Sequence, residues 1–336
     1  MPGLPVDLSG MVKPPFNYTG CKFKLLPQLI PLFDYERDSF VDLFTGGGSV
    51  WCNLAPYYDR VIANDIIGDL VDIQRLLLSG DGIVAETQAL CVEKTDKAGY
   101  HALRDDYNQR PSAAKLWALM LCCNNNMMRF NAARRFNQTF GRRSWNASTT
   151  EKVARYTSHI RSLESRIAHM REDFEAVPIP PGSMVYVDPP YSNTEAGYNS
   201  YWKKNDDVRL FAHLQHLTLE GHAIAVSGVR EHNGKRSPLI DMLEQAGWHV
   251  SKLEADYNVV SKVGLKQTDE VVLTNYNVAC LVTHRPTTPA AMNGGRRSHG
   301  SAPTRLTAGP PPFLPKGQVL SSRRSPGFAH FKGSAT

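Results

Sequence analysis

Met184-Val185-Tyr186-Val187-Asp188-Pro189-Pro190-Tyr191 is a short apolar run stopped by two prolines. Four consecutive apolar residues read as a strand buried on both faces, as in a parallel sheet. Pro189 and Pro190 lack N–H groups and fix φ, so the strand must end there. In an open α/β sheet, ligands sit beyond the carboxyl ends of the strands. Asp188 is therefore expected to face a pocket, with the Pro189 carbonyl freed beside it. Together the two oxygens can accept both N–H bonds of an exocyclic amine on a flat ring. That grip draws the nitrogen toward tetrahedral geometry and aims its lone pair. Tyr191 supplies a stacking face for a base taken out of its helix. Asp-Pro alone is an ordinary loop start; after an apolar strand, and with Tyr next, it reads as a site.

Upstream, Ser39-Phe40-Val41-Asp42-Leu43-Phe44-Thr45-Gly46-Gly47-Gly48-Ser49 reads as a strand, a tight glycine turn and a helix beginning near Ser49. Glycines let backbone approach a ligand closely here, and Phe44, Gly46 and Gly48 are candidate cofactor contacts. The run lacks the Gly-x-Gly-x-x-Gly spacing, and no Lys-Ser/Thr follows to make a phosphate loop. A second strand, Arg60-Val61-Ile62-Ala63-Asn64, ends in Asp65. An acidic residue roughly 20 positions past such glycines suits a ribose diol; its plainer use is a helix N-cap. A ribose without a phosphate explains the missing cation, and S-adenosyl-L-methionine fits. Near the amino end, Pro14-Pro15-Phe16-Asn17-Tyr18-Thr19-Gly20-Cys21-Lys22 is another glycine turn before a short helical pattern. Lys22 would meet the carboxylate of that cofactor, with Tyr18 packed nearby. Read alone, Lys22 is a solvated lysine at a helix start.

The 336 residues can bury a sizeable core in one large or two modest domains. Their net charge of +6 is unevenly spread. Between Arg129 and Arg171 ten Lys/Arg face two acids, and from Arg285 onward there are eight Lys/Arg and no Asp or Glu. The rest of the chain is acidic, so a dense basic insert on an acidic body suggests a polyanionic partner. From Glu151 to Arg171 the pattern is helical, which fits a solvated helix face. The Arg129–Arg143 stretch interleaves Asn131, Phe136, Asn137, Phe140 and Gly141, and reads as a loop or ribbon that contacts phosphates and base edges. Six cysteines show no paired metal spacing, so no metal is expected. No signal peptide opens the chain and no apolar run could span a bilayer. A reducing cytoplasm, bacterial or that of a phage-infected cell, is the expected compartment, and a monomer the expected state.

Residues 1–10 read as a leader, 11–70 and 176–280 as a catalytic domain, and 71–175 as an inserted, mostly helical domain. Leu116–Cys123 reads as a buried helix and Tyr198–Lys204 as a polar, aromatic loop. A helix over Asp206–Leu219, a strand at His222–Ser227 and a helix over Ser237–Ala246 follow. Trp248–Leu253 and Glu270–Asn275 read as an antiparallel pair with polar Val260–Thr268 between them. Residues 285–336, rich in Pro, Gly, Ser and Thr, are expected to form a disordered basic tail.

From Val12 to Asn275 the chain resembles the Dam-type DNA adenine-N6 methyltransferases, most closely their phage branch. The resemblance runs through Phe16-x-Tyr18-x-Gly20-x-Lys22, Phe40-Val41-Asp42-Leu43-Phe44 with its glycines, and Asn64-Asp65. It continues in Leu103-Arg104-x-Asp106-Tyr107-Asn108, Asn126-Met127-Met128-Arg129-Phe130-Asn131, Phe140-Gly141-Arg142-Arg143, the Asp188 box and Thr268-Asp269-Glu270. It implies an α/β fold: a seven-stranded Rossmann-like S-adenosylmethionine-dependent methyltransferase sheet, with a helical target-recognition domain and a β-hairpin inserted. Double-stranded DNA read at GATC, a flipped adenine and no metal are implied as well. Tyr18, Lys22, Asp65 and Asp188 are implied cofactor contacts; Asp188, Pro189 and Tyr191 are the candidate catalytic residues. Asn124, Asn125, Met127, Arg129, Asn131, Arg142 and Arg143 are the candidate DNA contacts, with Arg143 on a base and Asn124 and Asn125 where the family inserts a wedge. The phage branch tends to carry an aromatic ring near Asn124, where this chain is polar. Adenine methylation of RNA, or a catalytically silent DNA-binding protein, are the other readings of the same pattern.

Overall fold

The computed structural model describes residues 8–16, 18–193, 202–203, 205–254 and 268–283. Its strands are β1 (Ser39–Asp42), β2 (Arg60–Asn64), β3 (Ile167–Met170), β4 (Met184–Val187), β5 (Ala223–His232), β6 (Lys235–Arg236), β7 (His249–Lys252) and β8 (Thr268–Thr274). They form one sheet in the order β3-β2-β1-β4-β5-β8-β7, with β6 folded back on β5. The first five of that order run parallel, and β8 lies antiparallel between β5 and β7. The expected seven strands form the ordered path, and the two-residue β6 is the addition.

Every residue of β1 and β4 is buried, as a sheet covered on both faces requires. Successive side chains alternate between the faces. Phe40, Val61, Ala63, Met184 and Tyr186 enter one core, and Val41, Ile62, Val185 and Val187 enter the other. Each large apolar side chain so buried stabilises the fold by about 1.5–3 kcal/mol. Nine helices are seen among the described residues: α1 (Leu26–Leu29), α2 (Trp51–Leu54), α3 (Gly68–Ser79), α4 (Gly82–Leu90), α5 (Lys97–Gln109), α6 (Ala113–Cys122), α7 (Ala147–Arg161), α8 (Asp206–Leu219) and α9 (Pro238–Gln245). Helices α3 and α7 belong to the first core, and α8 and α9 to the second. The expected buried helix is α6, against which α3, α4 and α5 pack. Side-chain N-caps start α5 (Asp96), α6 (Ser112), α7 (Asn146) and α9 (Ser237, with Pro238 next).

Three local expectations change. The helical pattern from Glu151 to Arg171 ends at Arg161, and Ile167–Met170 is the sheet's edge strand β3, paired to β2. An edge strand needs only one buried face, so its sequence carries no long apolar run. The helix after the glycine turn is only Trp51–Leu54, passing directly into a tighter turn at Ala55–Tyr57 that contains Pro56. The hairpin between Cys123 and Phe140 is a ribbon held at two isolated antiparallel bridges, Cys123 with Phe140 and Phe130 with Phe136. The expected antiparallel pair near the carboxyl end is present as β7 and β8. The tail at 285–336, most of the 198–204 loop and the 260–267 segment lie outside the described residues.

Candidate active site and nucleic-acid interface

Register places the ends of three strands level. Asp42 pairs with Ala63 on one side and Tyr186 on the other, so Asp65 and Asp188 emerge at the same edge of the sheet. Here, between β1 and β4, the strand order reverses, which is where open α/β sheets hold ligands. A pocket of about 950 Å³, partly open to solvent, fills the crevice.

Asp188 is held by three donors. Lys22 Nζ lies 2.5 Å from Oδ2, while Tyr191 Oη and Ser227 Oγ donate to Oδ1 at 2.7 and 2.9 Å. Ser227 Oγ is in turn bonded to Tyr186 Oη at 2.8 Å. The Lys22 side chain also donates to the Gly20 carbonyl, and its ammonium sits 5.3 Å from the centre of the Tyr191 ring. Lys22 is therefore buried, not the solvated lysine its own sequence suggests. Burial lowers the ammonium's pKa, but the charge of Asp188 and their hydrogen bond outweigh it and hold the pKa above its usual range.

The glycine turn is built by contact. Gly46 has φ +48°, and a Cβ there would lie 2.6 Å from Tyr18 Cε1. Gly48 has φ +75°, and a Cβ would lie 2.5 Å from Gln74 Oε1 and 2.6 Å from Trp51 Nε1. Gln74 donates to the Gly46 carbonyl (2.9 Å) and accepts from Trp51 Nε1 (2.6 Å), so it ties the turn to α3 and α2. Asp65 accepts from the Gly46 N–H and the Ile67 N–H, both at 2.9 Å. It clamps the turn to the end of β2 and initiates the bend into α3, leaving further lone pairs on each oxygen. Burial raises the Asp65 carboxyl pKa against the pull of those two N–H groups.

Asp42 and Gln74 were not singled out as site residues. Asp42 is buried in the pocket; its Oδ2 accepts from Trp51 N (3.3 Å), and its Oδ1 has no hydrogen-bond partner among the described residues. Burial, then the neighbouring Asp188 charge, push its pKa well up. Its signal in the sequence was only its place, the last residue of an apolar strand before the glycines. Phe44 packs on Phe174 and Trp202, with ring centres 5.7 and 5.8 Å apart. Lys22 is the one cation among the described lining residues, against Asp42, Asp65, Asp188, Glu172, Asp173 and Asp206. Among the described residues no His, Cys, Asp and Glu side chains group as a metal-ligand set, and no helix is long and apolar enough to cross a membrane.

The ribbon from Cys123 to Phe140 alternates as a strand pair does. Met128, Phe130, Phe136 and Gln138 are buried, while Met127, Arg129, Arg135 and Thr139 are exposed. Asn108 clamps it, donating to the Phe136 carbonyl (3.0 Å) and accepting from the Phe136 N–H (2.7 Å). Tyr100 Oη donates to the Gln138 carbonyl at 2.9 Å, and Tyr107 Oη to Asp69 at 2.8 Å. At its base, a Cβ on Gly141 would collide with the Cys123 carbonyl. Asn125 (φ 56°), Asn126 (φ 52°) and Arg142 (φ 54°) hold left-handed backbone. Such strain persists only where the surroundings enforce it.

Of the candidate DNA contacts, Asn124, Asn125, Met127, Arg142 and Arg143 are exposed. Arg129 is exposed but bonded across the ribbon to the Asn137 side chain (3.0 Å) and carbonyl (2.9 Å). Asn131 accepts from the Arg135 N–H at 3.0 Å and shapes the turn. The Arg143 guanidinium donates to Asn126 Oδ1. Asn126 is buried and caps the end of α6 through the Met120 and Leu121 carbonyls.

A family model described as D12 class N6 adenine-specific DNA methyltransferase matches residues 18–253. The modification methylase StsI of Streptococcus sanguinis is 28% identical, over 79% of this chain and 43% of its own length. The type II methyltransferase M.FokI of Planomicrobium okeanokoites is 30% identical over the same shares. A DNA adenine methylase of Serratia marcescens is 27% identical over 55% of this chain and 74% of its own. The chain spans under half the length of the first two of these relatives.

Proposed function

Because the chain belongs to the D12 class of N6 adenine-specific DNA methyltransferases, we propose that it methylates N6 of adenine in double-stranded DNA, at GATC, with the target base flipped out of the helix. The methyl donor in this reading is S-adenosyl-L-methionine, which supplies an electrophilic methyl group on a cationic sulfur. The observation that carries the reading is the Asp188 carboxylate, fixed by three donors at the floor of the same pocket that the glycine turn and Asp65 line.

The residues fit that donor. Its sulfonium and ammonium outweigh its carboxylate, and the described lining is correspondingly acidic. The unpartnered Asp42 Oδ1 suits an ammonium, Asp65 suits the ribose hydroxyls, and the Lys22 ammonium suits the carboxylate. Phe44, Gly46 and Tyr18 shape the walls, while Gly48 is not among the described lining residues and packs behind them against Gln74 and Trp51.

A carboxylate offers about four lone-pair sites. Lys22, Tyr191 and Ser227 use three of them at Asp188, and the remaining site is on Oδ2. One N–H of the target amine bonds there and the other bonds the Pro189 carbonyl, which aims the nitrogen lone pair. Tyr191 stacks on the base while its hydroxyl holds Asp188 in orientation. The nitrogen's surplus proton leaves through Asp188 or to water. Exposed Asn124, Asn125, Met127 and Arg142, with Arg129, Asn131 and Arg143 braced in the ribbon, are the proposed DNA contacts.

The test supplies the purified chain with tritium-methyl-labelled donor and either duplex DNA or structured RNA, then digests each to nucleosides. Label in N6-methyladenine from duplex DNA is expected, with protection of GATC sites in a plasmid from methylation-sensitive cleavage. Label confined to RNA, or to cytosine, would overturn the reading. Label in DNA without GATC protection would remove only the recognition sequence.

A further inference from the structure

A second groove of about 860 Å³, open to solvent, lies beside the catalytic loop and shares Trp202 with the pocket. Among the described lining residues its cations are Lys203, from the loop before α8, and Lys235 and Arg236 of β6. Arg236 is already engaged by Asp241 and Glu244. Lys203 and Lys235 are exposed and have no acidic partner among the described residues. The acid in the lining, Asp207, is buried and accepts from Trp202 Nε1 at 3.0 Å. The groove thus offers two unspent ammonium groups, and Ser192 also lines it.

The groove is mechanically joined to the chemistry. Asn193 is buried, and its amide donates to the Val229 carbonyl (3.1 Å) on β5 and to the Lys235 carbonyl (3.2 Å) on β6. One side chain therefore ties the loop that begins at Asp188 to both strands of the β5–β6 hairpin. The hairpin is braced from its far side by Arg230, which pairs with Glu244, and by the Ser237 N–H on the Arg230 carbonyl at 2.9 Å. A charge held at Lys235 stays in register with the carboxylate that grips the amine.

We propose that this groove binds backbone phosphates of the substrate DNA, as a contact surface separate from the Arg129–Arg143 ribbon. The inference rests on the duplex-DNA reading above. Lysines are compact point charges without the planar fork that reads guanine edges, and the one arginine present is occupied. The surface therefore adds affinity and positions the strand without choosing its sequence.

The test measures duplex binding against salt concentration for the wild type, Lys235→Glu and the double variant Lys203→Ala/Lys235→Ala, on GATC and on non-cognate duplexes. Each lost phosphate contact lowers the slope of log K against log salt by about 0.9, which is roughly tenfold in affinity near 0.1 M salt. Equal losses on both duplexes are expected, with donor binding unchanged by calorimetry and Lys235→Arg restoring the slope. An unchanged slope in the double variant would overturn the groove while leaving the enzyme's reading intact, as would a loss confined to the cognate duplex. A wild type that binds no duplex at all would remove the DNA reading and this inference together.

Discussion

Replacing Asp188 removes the common acceptor of Lys22, Tyr191 and Ser227. Asp188→Ala is expected to abolish methyl transfer while duplex binding survives, checked by label incorporation beside gel-shift titration. It also strands a buried ammonium, a defect of about 3–5 kcal/mol. Asp188→Asn separates the effects, because its amide oxygen can still accept from Lys22 while the negative charge and the second acceptor oxygen are lost. It should fold with a smaller loss and remain inactive; a near-wild-type rate would end the proposed role. Ser227→Ala leaves the carboxylate in place but lets it turn, and should slow transfer by about tenfold to a hundredfold with donor affinity nearly unchanged. Gly48→Ala acts elsewhere, since its Cβ would meet both partners of the Trp51–Gln74 hydrogen bond in a left-handed conformation. A loss of about 2 kcal/mol in urea unfolding is expected, together with weakened donor binding.

The Cys123–Phe140 ribbon is tied to α5 by Tyr100 and, most closely, by Asn108. Asn108 bonds both backbone groups of Phe136, so Asn108→Ala unpairs a part-buried N–H and carbonyl at once, at about 1–3 kcal/mol. Because α5 lines no part of the donor pocket, duplex affinity should fall while calorimetric donor binding holds; equal losses of both would deny the ribbon its separate role. Elements of this molecule differ in how plainly their residues announce them. Strand β4 is an uninterrupted apolar run with an abrupt stop, and β1 and β2 hold short apolar cores (Phe40-Val41 and Val61-Ile62-Ala63) before the glycine turn and Asn64-Asp65. Helices α6 and α8 carry clean apolar faces, so sequence alone located all of these. Strand β3 was hidden because Ile167-Ala168-His169-Met170 buries little, and its basic approach continues the periodicity of α7. The Asp188 box was legible as a grip, since strand, prolines and aromatic ring are contiguous. Its partners Lys22 and Ser227 were not legible as partners, because they arrive from a turn near the amino end and from the middle of β5, far from Asp188 in sequence. Nor does any local pattern reveal that Arg129 and Arg143 would be spent partly on Asn137 and Asn126.

On the scale of the whole molecule, β3 carries a pH liability. His169 Nε2 is buried with no hydrogen-bond partner among the described residues, and the ring stands edge-on to Trp51 at 5.1 Å. Burial, with Arg75 nearby, lowers its pKa to about 4. The unfolded chain then binds the extra proton between about pH 6.5 and pH 4, so stability is full above that range and falls as pH drops through it. A loss on the order of 2–3 kcal/mol is expected from this group, discounted for its partial exposure. His169→Gln should flatten the urea midpoint between pH 7 and pH 4.5; an unchanged slope would assign the acid sensitivity to other groups. Finally, Lys22 and Asp188 are 166 positions apart in the chain. A ribosome delivers the glycine turn, the clamp at Asp65 and the whole Cys123–Phe140 ribbon before it delivers the carboxylate that neutralises Lys22. The unfinished chain must therefore keep that lysine in water, with the floor of its pocket missing. The donor pocket is therefore closed only late in synthesis, and a chain halted before Asp188 would carry its glycine turn and ribbon but lack the carboxylate on which the proposed transfer depends.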